Sequence, residues 1–147
     1  MQIVLQLITN PLFVIPVFTV VLAQIVKQLF FWIRGEEITR YTLVTDGGMP
    51  SSHSALMSSL TTALFITQGL APISYLALFT TLIVAKDAYG VRNESGKQAR
   101  LLLEVMHRVH LNDPEHLKTL LGHTKFQVFV GLVFGVVTSL AGYAFFF

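Results

Sequence analysis

Between Pro11 and Ile33 the chain is apolar for 23 residues, interrupted chiefly by Gln24, Lys27 and Gln28. About twenty apolar residues in a helix suffice to cross a bilayer, so this run reads as a membrane span. The rest of the chain agrees. Of its 147 residues, 53% are hydrophobic and 12% charged, with a mean hydropathy of +0.65. A soluble domain carries about a quarter charged residues, so roughly half the expected charge is missing. The chain reads as an integral membrane protein forming a single membrane-embedded domain over residues 1–147. A net charge of +2, confined to a few segments, gives no argument for a nucleic-acid partner. The absence of cysteine excludes disulfides and thiolate metal sites. Met1 to Ile8 lacks a basic n-region, so the first apolar run is expected to remain in the mature protein.

Four spans are expected. The first is Pro11–Ile33, with Pro16 a candidate kink and the residues before Asn10 either extending it or lying at the interface. Gly35–Pro50 is a polar connection. The second span, about Ser54–Gly69, is rich in Ser, Thr and Ala, a composition suited to burial against other helices. Gly69–Pro72 forms a tight turn, and the third span runs from about Ile73 to Tyr89. In the second polar region, Val91–Lys125, the spacing of Leu101, Leu102, Val105, Met106 and Val109 predicts an amphipathic surface helix over Gln98–Val109. A short helix restarts at Asn112-Asp113-Pro114 and ends at Gly122. The last span is Phe126–Phe146. Its stripe of Gly131, Gly135, Ser139 and Gly142 would admit another helix closely, either within the chain or from a second copy in a homodimer. The expected fold is thus all-α: a polytopic membrane bundle of four spans with short amphipathic surface helices.

Four spans place both polar regions on one side, and all ten Lys and Arg fall there or at the span ends facing it. Cytoplasmic loops carry excess Lys and Arg. The polar face is therefore expected in the cytoplasm, most simply that of a bacterium, with the protein in its inner membrane.

The chemistry gathers on that face. Asp46-Gly-Gly-Met-Pro-Ser-Ser-His-Ser-Ala55 is a polar, glycine-bearing passage leading into an apolar run. Pro50 suits the first turn of a helix and the serines suit its cap. His53 then sits at a helix N-terminus, where free N–H groups and the dipole favour an anion. Lys27 and Arg34, seven residues apart, share a helix face. Such cations near a span end are often functional, the plain alternative being snorkelling to headgroups. Asp87 and Arg92 bracket Tyr89-Gly90, where Asp87 could neutralise Lys27 or Lys86. His123 precedes the last span, a second imidazole at the mouth of a helix. His107, His110 and His116 lack the spacing and carboxylate company of a metal site and read as solvated.

Taken together, Lys27-x6-Arg34, Pro50-Ser51-Ser52-His53 and the late His123 resemble the three-part signature of type 2 phosphatidic acid phosphatases and vanadium haloperoxidases. The blocks Gly47–Ala55, Asp87–Arg92 and Leu121–Thr124 are most similar to the divergent branch of that superfamily, and they span nearly the whole chain. The resemblance implies a phosphomonoesterase that needs no metal or other cofactor. In it His123 would attack phosphorus to form a phosphohistidine, and His53 would protonate the leaving alkoxide and later help activate water. Lys27, Arg34 and Arg92, with the backbone around Ser51 and Ser52, would hold the phosphoryl oxygens. This fits a reaction governed by positioning and charge stabilisation.

The wider superfamily places an acid four residues after the nucleophilic histidine, where this chain has Gln127. An amide can fix a tautomer but lends no charge to an imidazolium, so Asp87 or Glu94 are candidate substitutes. Gly35 stands where a proline is expected after Arg34, and Arg92 stands in for the usual arginine ahead of the late histidine. The expected function is removal of a terminal phosphate from a membrane lipid at the cytoplasmic face, with phosphatidylglycerophosphate, phosphatidate and polyprenyl diphosphate as candidates. The alternative, favoured by Gln127, is a non-catalytic lipid-phosphate-binding or assembly protein.

Overall fold

The computed structural model describes residues 2–35, 48–111 and 122–146, which form six α-helices and no strand. Helix α1 (Gln2–Thr9) is separated from α2 (Pro11–Ile33) at Asn10, whose side-chain Oδ1 accepts from Leu12 N at 2.9 Å while Pro11 opens the new helix. The residues before Asn10 are thus a helix of their own, and α2 runs on through Pro16. Helix α3 (Ser52–Gln68) ends at Gly69, and α4 (Pro72–Tyr89) starts on Pro72. Helix α5 is Val91–Arg108 and α6 is Lys125–Phe146. The span boundaries lie within two residues of those expected, but α5 begins seven residues before the expected Gln98. Its first two turns are polar and carry no apolar period, so the sequence pattern misses them. Asp46, Gly47 and the expected helix after Asn112, with His116, lie outside the described residues.

Two of the four expected spans, α2 with 23 residues and α6 with 22, are long and apolar enough to cross a membrane among the described residues. Helix α3, with 17 residues, falls short by length, and α4, with 18, by apolar content. The cause is visible in their content. Seven Ser and Thr dilute α3, and Lys86 and Asp87 close α4.

Consecutive long helices run antiparallel. Thr61 Oγ1 lies 2.8 Å from Thr81 Oγ1, and Ser74 Oγ donates to Leu64 O, which fixes α3 against α4. Thr19 Oγ1 of α2 lies 3.1 Å from Ser59 Oγ of α3 and 2.9 Å from Thr138 Oγ1 of α6. Helices α3 and α6 are instead parallel: Gly131 seats Ser51, Gly135 seats Ala55 and Ser58, and Ser139 Oγ donates to Ser59 O at 3.1 Å. Gly142 packs on Ile15 of α2. The small-residue stripe is therefore taken up inside the chain, where the missing side chains let α3 approach α6 closely.

The interior of this bundle is small and hydroxylated, and the large apolar side chains point outward. Ala23, Ala55, Ala63, Ser54, Ser59, Ser74 and Thr19 are buried, whereas Leu76, Phe79, Leu82 and Ile83 of α4 are exposed. That inversion suits a surrounding of lipid, where apolar burial gives no drive and close packing with interhelical hydrogen bonds holds helices together. Such bonds contribute about 0.6 kcal/mol on average and up to about 1.7. Thr19→Val, which removes one hydroxyl from the three-helix junction with Ser59 and Thr138, is expected to cost about 1 kcal/mol. Unfolding in mixed micelles under increasing SDS measures it, and an unchanged midpoint would show the junction to be incidental.

Candidate functional site

The up-and-down order of α2, α3 and α4, with α6 parallel to α3, gathers four segments at one end. These are the C-terminal end of α2, the N-terminus of α3, the C-terminal end of α4 and the N-terminus of α6. Every expected site residue belongs to that end or to the start of α5, which departs from it.

Contacts place the segments side by side. Ser51 N donates to Gln127 O at 3.3 Å, which joins the start of α3 to the first turn of α6. The start of α6 is in turn fixed to α4 and α5: His123 N donates to Ala88 O at 3.2 Å, and Gly122 lies against the backbone of Arg92 and Asn93. On the other side, Gly48 closes over Lys27. A Cβ there would stand 3.2 Å from Lys27 Cγ and 3.0 Å from Phe31 Cζ, and its φ of +92° suits glycine.

Lys27 and His123 are almost completely buried, at 2% and 1% exposure. Burying a lysine and a histidine is costly, and such residues inside a membrane bundle are candidates for function. Helix α3 begins at Ser52 behind an N-cap at Ser51, so Pro50 precedes the cap and does not occupy the first turn. Ser51 gives no side-chain cap; its Oγ accepts from Ser54 Oγ at 3.0 Å. Ser52 Oγ is buried and has no hydrogen-bond partner among the described residues. A buried hydroxyl at a helix N-terminus, where the dipole favours negative charge, is a place an anion can complete. His53, the second residue of the helix, is exposed at the same mouth.

The remaining candidates divide. Arg92 Nε donates to Asp87 Oδ2 at 2.7 Å, so Asp87 faces Arg92, not Lys86, across Gly90. Glu94 accepts from Lys97 at 2.7 Å. Arg34 is exposed at the end of α2, short of the buried cluster. Gln127 makes a capping box with Thr124: its Oε1 accepts from Thr124 N at 2.9 Å, and its own N–H reaches Thr124 Oγ1 at 3.3 Å. The amide expected to steady His123 thus holds the entry of α6, one turn after that histidine.

A cleft of about 260 Å³ opens beside this cluster. It is lined by Gly48, Gly122, Thr124 and Gln127 and, from α5, by Asn93, Gly96, Lys97 and Arg100. These α5 residues were not singled out from the sequence. Their i, i+3, i+4, i+7 spacing is the available signal, a polar stripe opposite the apolar one at Leu102, Val105, Met106 and Val109.

Together the small-residue bundle and the span-length helices define a small all-α membrane protein. The chain belongs to the Divergent PAP2 family, whose model matches residues 8–138. It is also similar to the uncharacterized membrane protein YuiD of Bacillus subtilis (strain 168), with 28% identity over 92% of this chain and 96% of that protein. No solved structure matches it.

Proposed function

We propose that the protein is a membrane phosphatase that removes a terminal phosphate from a lipid at the cytoplasmic face. The observation that carries this reading is the mouth of α3. There the buried hydroxyl of Ser52, which has no partner among the described residues, the helix N-terminus and His53 adjoin the helix entry that carries buried His123. Buried Lys27 lies under the adjoining Gly48.

In this reading the phosphoryl oxygens rest on the α3 N-terminus, Ser52 and Lys27. A ring nitrogen of His123 attacks phosphorus, so a P–N bond forms as the P–O bond to the lipid breaks. His53 gives its proton to the departing alkoxide, then takes one from the water that cleaves the P–N bond. Inorganic phosphate leaves and both histidines return to their starting states. Arg92, held by Asp87, supplies further positive charge near the entry of His123, and Arg34 acts at the rim.

Helices α2, α3, α4 and α6 are read as crossing the membrane together. Helix α4 supports this with its lipid-suited face of Leu76, Phe79, Leu82 and Ile83, and α3 is enclosed by its neighbours. The site end then faces the cytoplasm, because every Lys and Arg lies in the segments at or leaving that end. The test is phosphate release by purified protein from lipid phosphomonoesters in mixed micelles, with EDTA present. Release above a protein-free blank is expected, as is inhibition by vanadate, which mimics five-coordinate phosphorus. No release from any lipid overturns the reading.

A non-catalytic lipid-phosphate-binding protein is the second reading, and Gln127 is what favours it. Because Gln127 caps α6, and glutamate at the same place caps equally well, Gln127→Glu is expected to preserve stability and change turnover less than about threefold. A large gain in phosphate release would instead show that this chain lacks an acid that catalysis needs.

A further inference from the structure

The cleft beside the cluster has its own cationic wall, and the mechanism above does not use it. Its position relative to His123 is fixed at one end. Asn93 backs onto Gly122, the residue before His123, and from there α5 carries the wall away from the reacting centre. At 1.5 Å per helical residue, Lys97 and Arg100 lie about 6 and about 10 Å farther along the axis than Asn93.

Three glycines, Gly48, Gly96 and Gly122, line the cleft and leave backbone open to a ligand. A volume of about 260 Å³ lies below the range for whole drug-sized ligands and is the scale of a headgroup. Among the described residues Lys97 pairs with Glu94 on the surface, and Arg100 has no ion-pair partner. An exposed i, i+3 pair contributes little, so it yields readily to a stronger anion. The apolar residues Leu102, Val105 and Val109 on the opposite side of α5 are exposed, which suits a helix lying in the membrane interface at the level of headgroups.

We infer that Lys97 and Arg100 form a second anion site, which selects lipids whose headgroup carries a phosphodiester separated from the terminal phosphomonoester by a short polyol. This rests on the phosphatase reading for the first phosphate, and it names the substrate class. A single-phosphate lipid leaves the second site empty. A diphosphate's two phosphates share one bridging oxygen, so they lie closer together than the about 6 Å by which Lys97 lies beyond Asn93 along α5.

The experiment compares wild type with the Lys97→Gln/Arg100→Gln double variant. Phosphatidate, phosphatidylglycerophosphate and a polyprenyl diphosphate are each presented in detergent micelles, and both equilibrium binding and phosphate release are measured. Wild type is expected to bind and cleave the diester-bearing lipid at least tenfold better than the other two. The double variant is expected to lose that preference through KM, with kcat and the phosphatidate values within twofold of wild type. Both side chains are exposed, so folding is expected to be unchanged, and Arg100→Lys should recover part of the preference.

Preferential binding without turnover would uphold the second site and remove the phosphatase reading. Turnover without preference, or equal loss on all three lipids in the variant, would overturn the second site alone. Absence of any binding preference overturns it whatever the turnover.

Discussion

His123→Ala is expected to abolish phosphate release, by more than about 10⁴-fold, while leaving the protein folded. Removing a nucleophile eliminates the covalent route entirely, and losses of that order are known for nucleophiles that act with a partner base. The substitution is informative because His123 is anchored by its backbone: its N–H bonds Ala88 O, and Gly122 before it packs on Asn93. Those contacts survive in alanine, so the entry of α6 should stay in place. His53→Ala removes only proton transfer and is expected to cost about 10²–10⁴-fold. Phosphate release by each variant, alongside its melting midpoint, checks the pair. Equal, small losses from both would mean that neither histidine attacks phosphorus.

The second large effect is expected at a residue that has no side chain. A Cβ on Gly131 would stand 2.6 Å from Ser51 O and 3.1 Å from Ser51 N. Backbone, unlike a long side chain, cannot swing aside, so Gly131→Ala must push the cap of α3 away from α6. The phosphate-holding mouth moves with it, and a displacement of about 1 Å at such a site costs on the order of 10²-fold in rate. Overpacking should also cost about 1–3 kcal/mol of stability. Gly142→Ala is the control. Its Cβ would meet only the side chain of Ile15, at 3.2 Å, far from the mouth, and turnover should change less than twofold. Turnover and SDS unfolding of the two variants measure this. If Gly131→Ala kept full activity, the α3–α6 contact would not be what sets the site.

Much of the fold was legible because its signals are local and repeated. The run Pro11–Ile33 and the glycine-spaced run Phe126–Phe146 each declare a helix, and the punctuation at Gly69-Leu-Ala-Pro72 closes one helix and opens the next. That Lys27, Ser52, His53 and His123 lie toward one end of the bundle followed from alternating direction alone. What stayed hidden turns on distance. A glutamine three residues into a helix can cap it or steady a histidine, and only the 2.9 Å contact to Thr124 N shows which bond Gln127 makes. The glycine stripe could have faced a second copy as easily as α3. The α5 stripe of Asn93, Lys97 and Arg100 looks like any solvated face until the cleft it shares with Gly48 and Gly122 is seen. Helices α3 and α4 are less apolar than α2 and α6, since serine and threonine that serve interhelical bonding also lower their hydropathy.

The central claim is that one phosphoryl group passes from a lipid onto His123 at the shared mouth of α3 and α6. The direct measurement is to mix the protein with a lipid whose terminal phosphate is radiolabelled, stop the reaction in alkali, which preserves phosphohistidine, and map the label by peptide. Label on the peptide holding His123, absent from His123→Ala, is the expected result. Turnover with no label on any histidine, or label that persists in His123→Ala, would contradict it.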